Sequence, residues 1–412
     1  MSNDNKTRIV IVGGGTGGLA IAAALRQLPS RDSLDITVVE PSDYHYYQAQ
    51  WTMVGGGMFP REVTRRRMAD LMPPGVNWIN EAAAEFDPAS NHLTTINSNR
   101  IDYDYLVVAA GIKLDWHKIE GLEGNLGKNG LCSNYSYDTV ESTWQNIRDL
   151  KSGTAMFTFP PPPIKCAGAP QKIMYLAEHH FRRTGVRKQI EVAYRCAADG
   201  IFAVKKYAAA LNAICAERDI DVQFAWNLKA VDAGAKEATF ENTKSGESRT
   251  EKYDMLHVTP PMSAPDVIGA SPLASDGGFV DVDKASLQHI RYPNVFSLGD
   301  ASSLPTSKTA AAIRSQLPVL IPNLVSVMND RPLTAAYDGY TSCPLVTGYG
   351  RLILAEFDYD LNPKETFPFD QSKERLSMYL LKKYVLPVIY WKGVIAGRRW
   401  PWLMPEPHLK VS

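Results

Sequence analysis

Arg8-Ile9-Val10-Ile11-Val12-Gly13-Gly14-Gly15-Thr16-Gly17-Gly18-Leu19-Ala20 decides the fold at the start of the chain. Arg8–Val12 is a short, mostly β-branched apolar run closed by glycine, the pattern of a buried parallel strand. Gly13, Gly15 and Gly18 fit G-x-G-x-x-G, and the Ala/Leu/Ile stretch Leu19–Leu28 predicts a helix. Such a turn lets backbone approach a pyrophosphate closely. The helix start then offers free N–H groups and a partial positive charge. A second strand is expected at Asp35–Val39, ending in Glu40, an acid placed to accept hydrogen bonds from ribose hydroxyls. Strand, glycine loop, helix and acid in this order specify a dinucleotide site far better than the glycines alone.

Two later stretches extend the reading. Tyr105–Gly111 is an apolar strand ending in small residues, and Asn294–Asp300 is another ending in Gly-Asp. Both resemble the segments that close the FAD site in glutathione-reductase-like flavoproteins. That resemblance implies FAD as cofactor, Gly111 against it and Asp300 bonded to its ribityl chain. A helix starting near Thr309 would aim its N-terminus at the flavin, where its dipole stabilises negative charge on the reduced ring.

Flavoproteins of this architecture usually carry a second such unit for a nicotinamide. Its strand, Ile190–Tyr194, and its helix, about 204–217, are both readable. Between them runs Arg195-Cys196-Ala197-Ala198-Asp199-Gly200-Ile201-Phe202, which has one glycine and an acid where a phosphate would need close backbone. The second unit is therefore expected to be degenerate, and the electron donor to be something other than a nicotinamide.

Composition fits this class. The 412 residues suffice for two or three cores, and 44 basic against 44 acidic residues leave no global field to recruit nucleic acid. Five cysteines, at 132, 166, 196, 215 and 343, form no disulfide framework, and neither they nor the histidines show metal-ligand spacing. No metal is expected. Residues 1–10 carry no apolar or Arg-rich leader, so the chain is expected to stay where it is made, in a reducing compartment. A cysteine pair that oxidises there is catalytic rather than structural.

Two cysteines stand out. Pro160–Pro163 is a stiff segment that delivers Cys166 to the start of a helix that Pro170 is expected to open at its first position. Lys165 and the helix N-terminus both favour its thiolate. Cys343 precedes Pro344 in a Tyr/Thr/Ser/Gly-rich stretch expected to be a loop outside the apolar core. Taken singly, either cysteine also suits a small buried hydrophobe, the usual fate of the residue. Cys215 and Cys196 are expected to be core.

The surrounding residues resemble the sulfide:quinone oxidoreductases, in the branch that includes the mitochondrial enzymes. The stretches that carry the likeness are Lys165-Cys166-Ala167-Gly168-Ala169-Pro170-Gln171-Lys172 and Tyr340-Thr341-Ser342-Cys343-Pro344-Leu345-Val346. Pro305–Ala310, which contains Lys308, and Phe367–Gln371 are similar too, and the likeness runs from about residue 8 to about 390. It implies that Cys166 and Cys343 are linked through sulfur when oxidised. Hydrosulfide attacks Cys343 and leaves a persulfide there, and Cys166 is released as the thiolate that reduces the flavin. A small acceptor (a thiol such as glutathione, sulfite, cyanide or more sulfide) then takes the sulfane sulfur, and ubiquinone or another quinone takes the electrons. Lys308 joins the cofactor-binding set on the same likeness. Cys132 is a candidate third redox cysteine, by position only.

A quinone substrate calls for a membrane. From Gln371 onward there are eight Lys/Arg and two Glu, interleaved with apolar and aromatic residues, while the longest apolar run, Tyr384–Trp391, is eight residues and contains Pro387. That is too short to span but suits helices lying in the interface. A dimer interface or a packed terminal helix remains an alternative for the same pattern. Tyr349, Phe357, Phe369 and Tyr390 are the aromatic quinone-pocket candidates.

The expected protein is α/β, with two Rossmann-like dinucleotide-binding domains, the second degenerate, and an amphipathic membrane-binding C-terminus. The expected division is 1–113 with 288–370, then 114–287, then 371–412, on the cytoplasmic face of an inner membrane. A homo-oligomer is compatible with it. Two other readings stay open: an NADH:quinone dehydrogenase, which the missing second glycine loop disfavours, and a non-catalytic flavin redox sensor.

Overall fold

A computed structural model describes residues 6–398. Two five-stranded parallel sheets organise them. In the first, the order is Val295–Ser297, Tyr105–Val108, Thr7–Val12, Leu34–Val39 and Val76–Ile79. Ile9, Ile11, Val38, Leu106 and Val107 are fully buried, as runs covered on both sheet faces must be. The second has the order Leu131–Cys132, Met255–His257, Gly153–Phe159, Ile190–Cys196 and Ile220–Phe224. Each half also carries a three-stranded antiparallel meander, Ala83–Asp102 in one and Trp226–Lys252 in the other. The second half thus repeats the plan of the first.

The opening helix runs Thr16–Leu25, three residues earlier than its apolar run suggests. Gly17 and Gly18 lie inside its first turn, where Gly18 leaves no room for a side chain and Gly17 is tightly packed. A Cβ on Gly18 would sit 1.8 Å from the Gly13 carbonyl oxygen, and one on Gly17 would sit 3.3 Å from Leu298. In the second half the helix Lys205–Glu217 follows the strand as expected. The loop before it is closed by protein contacts: Ala225 N–H donates to the Ala198 carbonyl, and Lys244 pairs with Asp199 at 2.8 Å.

Among the described residues, one helix, Ala310–Met328, is long and apolar enough to cross a bilayer. Two-thirds of it is buried, and Ile313, Leu317, Leu320 and Leu324 pack into the core of the first sheet.

One segment departs from expectation. Cys343 is not in a loop. It lies on the strand Thr341–Gly348 of a hairpin with Arg351–Phe357, and it is 2 % exposed. The expected boundary at 370 keeps this hairpin with the first sheet. Its side chains Leu345, Val346, Leu352, Ile353 and Leu354 instead share a hydrophobic cluster with Phe157 and Tyr194 of the second sheet. The C-terminal segment packs against both cores, as the packed-helix alternative expects. Residues 376–394 form one helical rod with two π-helical turns, Leu381–Val385 and Tyr390–Val394. Met378 and Tyr379 pack on the second core, and Ile389 and Val394 on the first. Trp400 and Trp402, with Arg399 and Lys410, lie outside the described residues.

Candidate functional site

The ends of the first-sheet strands form a cradle suited to FAD. Gly13 has φ +104°, and its N–H donates to the Val39 carbonyl at 2.9 Å. A Cβ there would lie 2.5 Å from the Ala109 oxygen, so the loop folds this way only with glycine. Gly15 and Gly111 are different: a Cβ on either would meet nothing within 4 Å. They face open space, where a cofactor needs backbone without side chains. Glu40 clamps the loop itself. Its carboxylate accepts from Gly14 N–H at 2.6 Å and Ser42 N–H at 2.8 Å, and burial pushes its pKa up against both bonds. Its free lone pairs are what remains for a ribose.

At the far strand, the Gly299 N–H donates to Gln316 at 2.8 Å. Lys308 holds this turn: its ammonium donates to the carbonyls of Asp300 at 2.7 Å and Ser302 at 3.0 Å. Burial pulls Lys308 down to about 8 and pushes the Asp300 carboxyl up, with Lys308 and Lys165 opposing the latter. The side chain of Thr309 caps the next helix by accepting from Ala312 N–H at 3.0 Å.

The same backbone carries the first cysteine. The Cys166 N–H donates to the Lys308 carbonyl at 2.9 Å, and the Cys166 carbonyl accepts from Ala169 N–H at 2.7 Å. Cys166 itself has φ +52°, a left-handed conformation uncommon for a side chain without local amide chemistry. The helix Ala169–Arg183 follows, with Pro170 in its first turn. This geometry brings the Cys166 sulfur to 3.5 Å from the Cys343 sulfur, although 177 residues separate them. Gly168 makes the approach possible, since a Cβ there would lie 2.5 Å from Cys343 Sγ.

The cation that serves the pair is Lys172, not Lys165. Lys172 Nζ lies 3.2 Å from Cys166 Sγ and is 5 % exposed. Lys165 points elsewhere, donating to Gln48 Oε1 at 2.6 Å. A hydrogen bond from Cys343 and the charge of Lys172 outweigh burial and hold Cys166 well below the usual thiol range. Cys343, the donor in that bond, is pushed well above it. Burial opposes the Lys172 charge, but the thiolate wins and raises its pKa. The cation and the shared hydrogen bond thus favour the thiolate on Cys166 over one on Cys343. Lys382, from the terminal helix, adds a second buried cation to this neighbourhood. Its ammonium donates to the Ala49 carbonyl at 2.9 Å, and burial followed by Lys172 lowers it to about 8.

A sequence signal for Lys172 existed. It sits in the first turn of a helix, where the macrodipole disfavours a cation. The nearby Cys166 thiolate offsets that placement.

Cys132 is not brought to the pair. It is fully buried, its Sγ donates to the Leu256 carbonyl at 3.7 Å, and burial raises its pKa to about 12. Cys196 and Cys215 are buried as well, raised to about 12 and about 11.

The four aromatic candidates do not converge on one pocket. Tyr349 donates to the Gly56 carbonyl at 2.7 Å, beside the terminal helix, where Tyr379 reaches Met58 Sδ at 3.1 Å. Phe357 is 3 % exposed and packs edge-on to Phe202 in the core. Phe369 stacks on Phe367 at 5.3 Å, with Arg375 over its ring at 4.2 Å. Tyr390 lies at the glycine loop, its hydroxyl 2.8 Å from Thr16 Oγ1. A π-helical turn sets its direction, which a 3.6-residue period does not anticipate.

Comparison with known proteins supplies what geometry alone cannot. Residues 7–147 match the family model described as pyridine nucleotide-disulphide oxidoreductase. The chain is 49% identical to the mouse protein named mitochondrial sulfide:quinone oxidoreductase, over 95% of this chain and 87% of that one. It is 48% identical to the Dictyostelium discoideum protein of the same name, over 96% of this chain and 87% of that one. The crystal structure of the sulfide:quinone oxidoreductase from Aquifex aeolicus superposes with a TM-score of 0.80 at 22% identity, covering 95% of this chain and 92% of that one.

Proposed function

The chain belongs to the sulfide:quinone oxidoreductases, and from that premise we propose that Cys166 and Cys343 carry the sulfide half of its reaction. The protein is a flavoprotein that oxidises sulfide and reduces quinone. The observation that carries the site assignment is the 3.5 Å approach of the two sulfurs with Lys172 at 3.2 Å from one of them.

In the oxidised enzyme the two sulfurs are linked. Hydrosulfide bonds to Cys343 Sγ, the link to Cys166 breaks, and Cys166 leaves as a thiolate held by Lys172. A low leaving-group pKa speeds that exchange. Cys343 now carries a persulfide. A small nucleophile, a thiol, sulfite or a second sulfide, takes the outer sulfur and leaves a thiol on Cys343. Re-closing the pair releases two electrons and the thiol proton. FAD, when bound, accepts two electrons from the pair and passes them to quinone. Gly13, Gly15, Gly18, Glu40, Gly111 and Asp300 would hold it, and Lys308 fixes the Asp300 turn. Thiol and flavin elements are joined directly by the Cys166–Lys308 backbone hydrogen bond.

The test is anaerobic mixing with sulfide, then with a short-chain quinone, following flavin absorbance. Bleaching by sulfide, recovery with quinone and indifference to NADH are expected. Bleaching by NADH but not sulfide would sink the assignment.

The terminal helix supports an interfacial membrane role. Leu376, Leu380, Tyr384 and Val388 recur every fourth residue, and all are exposed, Leu376 at 59 % and Tyr384 at 55 %. Lys373 and Lys392 are exposed on the same segment. Apolar residues flanked by exposed cations suit an anionic bilayer surface, here on the cytoplasmic face of an inner membrane. Tyr349 keeps its quinone role in this proposal, because it lies between this helix and the Gly56 loop. Replacing Leu380 and Tyr384 together by Glu is expected to lower binding to anionic vesicles at least about tenfold, from the apolar area withdrawn. Flotation with unchanged partitioning would assign the stripe to a protein partner instead.

A further inference from the structure

The terminal helix ends on the glycine loop through a chain of polar contacts that sulfide chemistry does not require. Tyr390 is 4 % exposed, and its hydroxyl lies 2.6 Å from His45 Nε2 and 2.8 Å from Thr16 Oγ1. His45 is 3 % exposed, and its Nδ1 lies 3.1 Å from the Gly14 carbonyl oxygen. A carbonyl only accepts, so Nδ1 carries the hydrogen and Nε2 is the acceptor. Tyr390 must then donate to Nε2, and the Thr16 hydroxyl donates to Tyr390. Every proton in the chain is fixed by that one carbonyl. The imidazole has to be neutral for this, and burial, first among its influences, lowers its pKa to about 4.

Packing fixes the same partners. The Tyr390 ring stacks on Tyr47 at 4.0 Å, and Trp391 meets Tyr47 edge-on. Arg66 lies 4.1 Å over the Trp391 ring. Beyond Tyr390, Gln27 of the opening helix donates to the Ala396 carbonyl at 2.9 Å. At Gly397 a Cβ would lie 2.5 Å from Ala24 N, so the chain lies flat on that helix.

Gly14 and Thr16 flank Gly15, the residue that faces open space in the cradle. We propose that Tyr390 is a positioning residue for FAD, and that the His45–Tyr390–Thr16 chain couples cofactor binding at the glycine loop to docking of the terminal helix. Coupling of this kind is reciprocal. FAD holds the loop, the loop holds Tyr390, and Tyr390 holds the helix that carries the exposed apolar stripe. Freeing the helix loosens FAD by the same factor. The inference rests on the flavoprotein assignment but not on the roles of the cysteines.

The test uses the full chain, stripped of FAD and titrated with it, reading flavin fluorescence. Tyr390→Phe keeps the ring stack and removes one hydroxyl; Thr16→Val removes its partner. Each is expected to weaken FAD by roughly tenfold, the scale of one buried hydrogen bond. Thr16→Ser, which restores the hydroxyl, is expected to bind as the unaltered protein does. The double variant is expected to lose no more than Tyr390→Phe alone, because that substitution already removes the bond Thr16→Val breaks. In parallel, trypsin cleavage after exposed Lys392 and Arg398 is expected to run at least about tenfold faster without FAD than with it in the unaltered protein. That dependence is expected to vanish in Tyr390→Phe and in Thr16→Val. Losses that multiply in the double variant overturn the proposal. So does cleavage indifferent to FAD in the unaltered protein, and so does failure of Thr16→Ser to rescue. FAD binding intact beside any of these would leave the flavoprotein assignment standing.

Discussion

Replacing Cys343 by Ser slows sulfide-dependent bleaching of the flavin by at least about a thousandfold, the scale on which removal of a nucleophilic centre acts. In the proposed reaction, serine cannot form the sulfur link that hydrosulfide attacks. The side chain is nearly isosteric and sits on a hairpin strand, so folding should survive, and reduction by dithionite should be unaffected. Rapid mixing with sulfide reads the rate, and flavin content confirms that FAD is retained. A variant that bleaches within tenfold of the unaltered rate would mean that sulfide reaches the flavin without the pair.

The second large effect is at Lys172. Lys172→Met removes the buried ammonium 3.2 Å from Cys166 Sγ and keeps the length of the side chain. The sign follows from which form the cation favours. Lys172 stabilises the thiolate and lowers the Cys166 pKa, so its loss raises that pKa. At neutral pH Cys166 then becomes a poorer leaving group, and the sulfide rate is expected to fall on the order of a hundredfold. The acid limb of the pH–rate profile moves to higher pH, so the variant recovers part of its rate on raising the pH. A profile that keeps its position while the rate drops uniformly would reduce Lys172 to a packing residue. Lys165→Met offers the contrast: its ammonium is engaged with Gln48, and the profile should stay where it is.

The contrast between these lysines shows what a sequence can and cannot carry. The glycine loop is legible because each glycine answers a local demand: Gly13 for its backbone angle, Gly18 for the space against the Gly13 oxygen. The missing second fingerprint is legible for the same reason. Which cation serves Cys166 is not local. Lys165 is adjacent in sequence, but the left-handed turn at Cys166 sends it away, and the helix returns Lys172 instead. Cys343 was hidden by Pro344, which speaks against a central strand. In a two-stranded hairpin the edge needs no donor at that position, and Pro344 pairs opposite Leu354. The four aromatic residues were grouped by chemistry and by proximity in the chain, and tertiary packing separated them.

The backbone of Cys166 has a consequence for how such a site persists. A left-handed residue costs a side chain on the order of 1 kcal/mol, and glycine would occupy the position without that cost. Selection for stability alone therefore pushes against the cysteine, and in the proposed reaction turnover opposes that push. A lineage freed from sulfide would be expected to lose residue 166 early, to glycine, while the glycine loop and the hairpin stayed intact. The fold would outlive its chemistry.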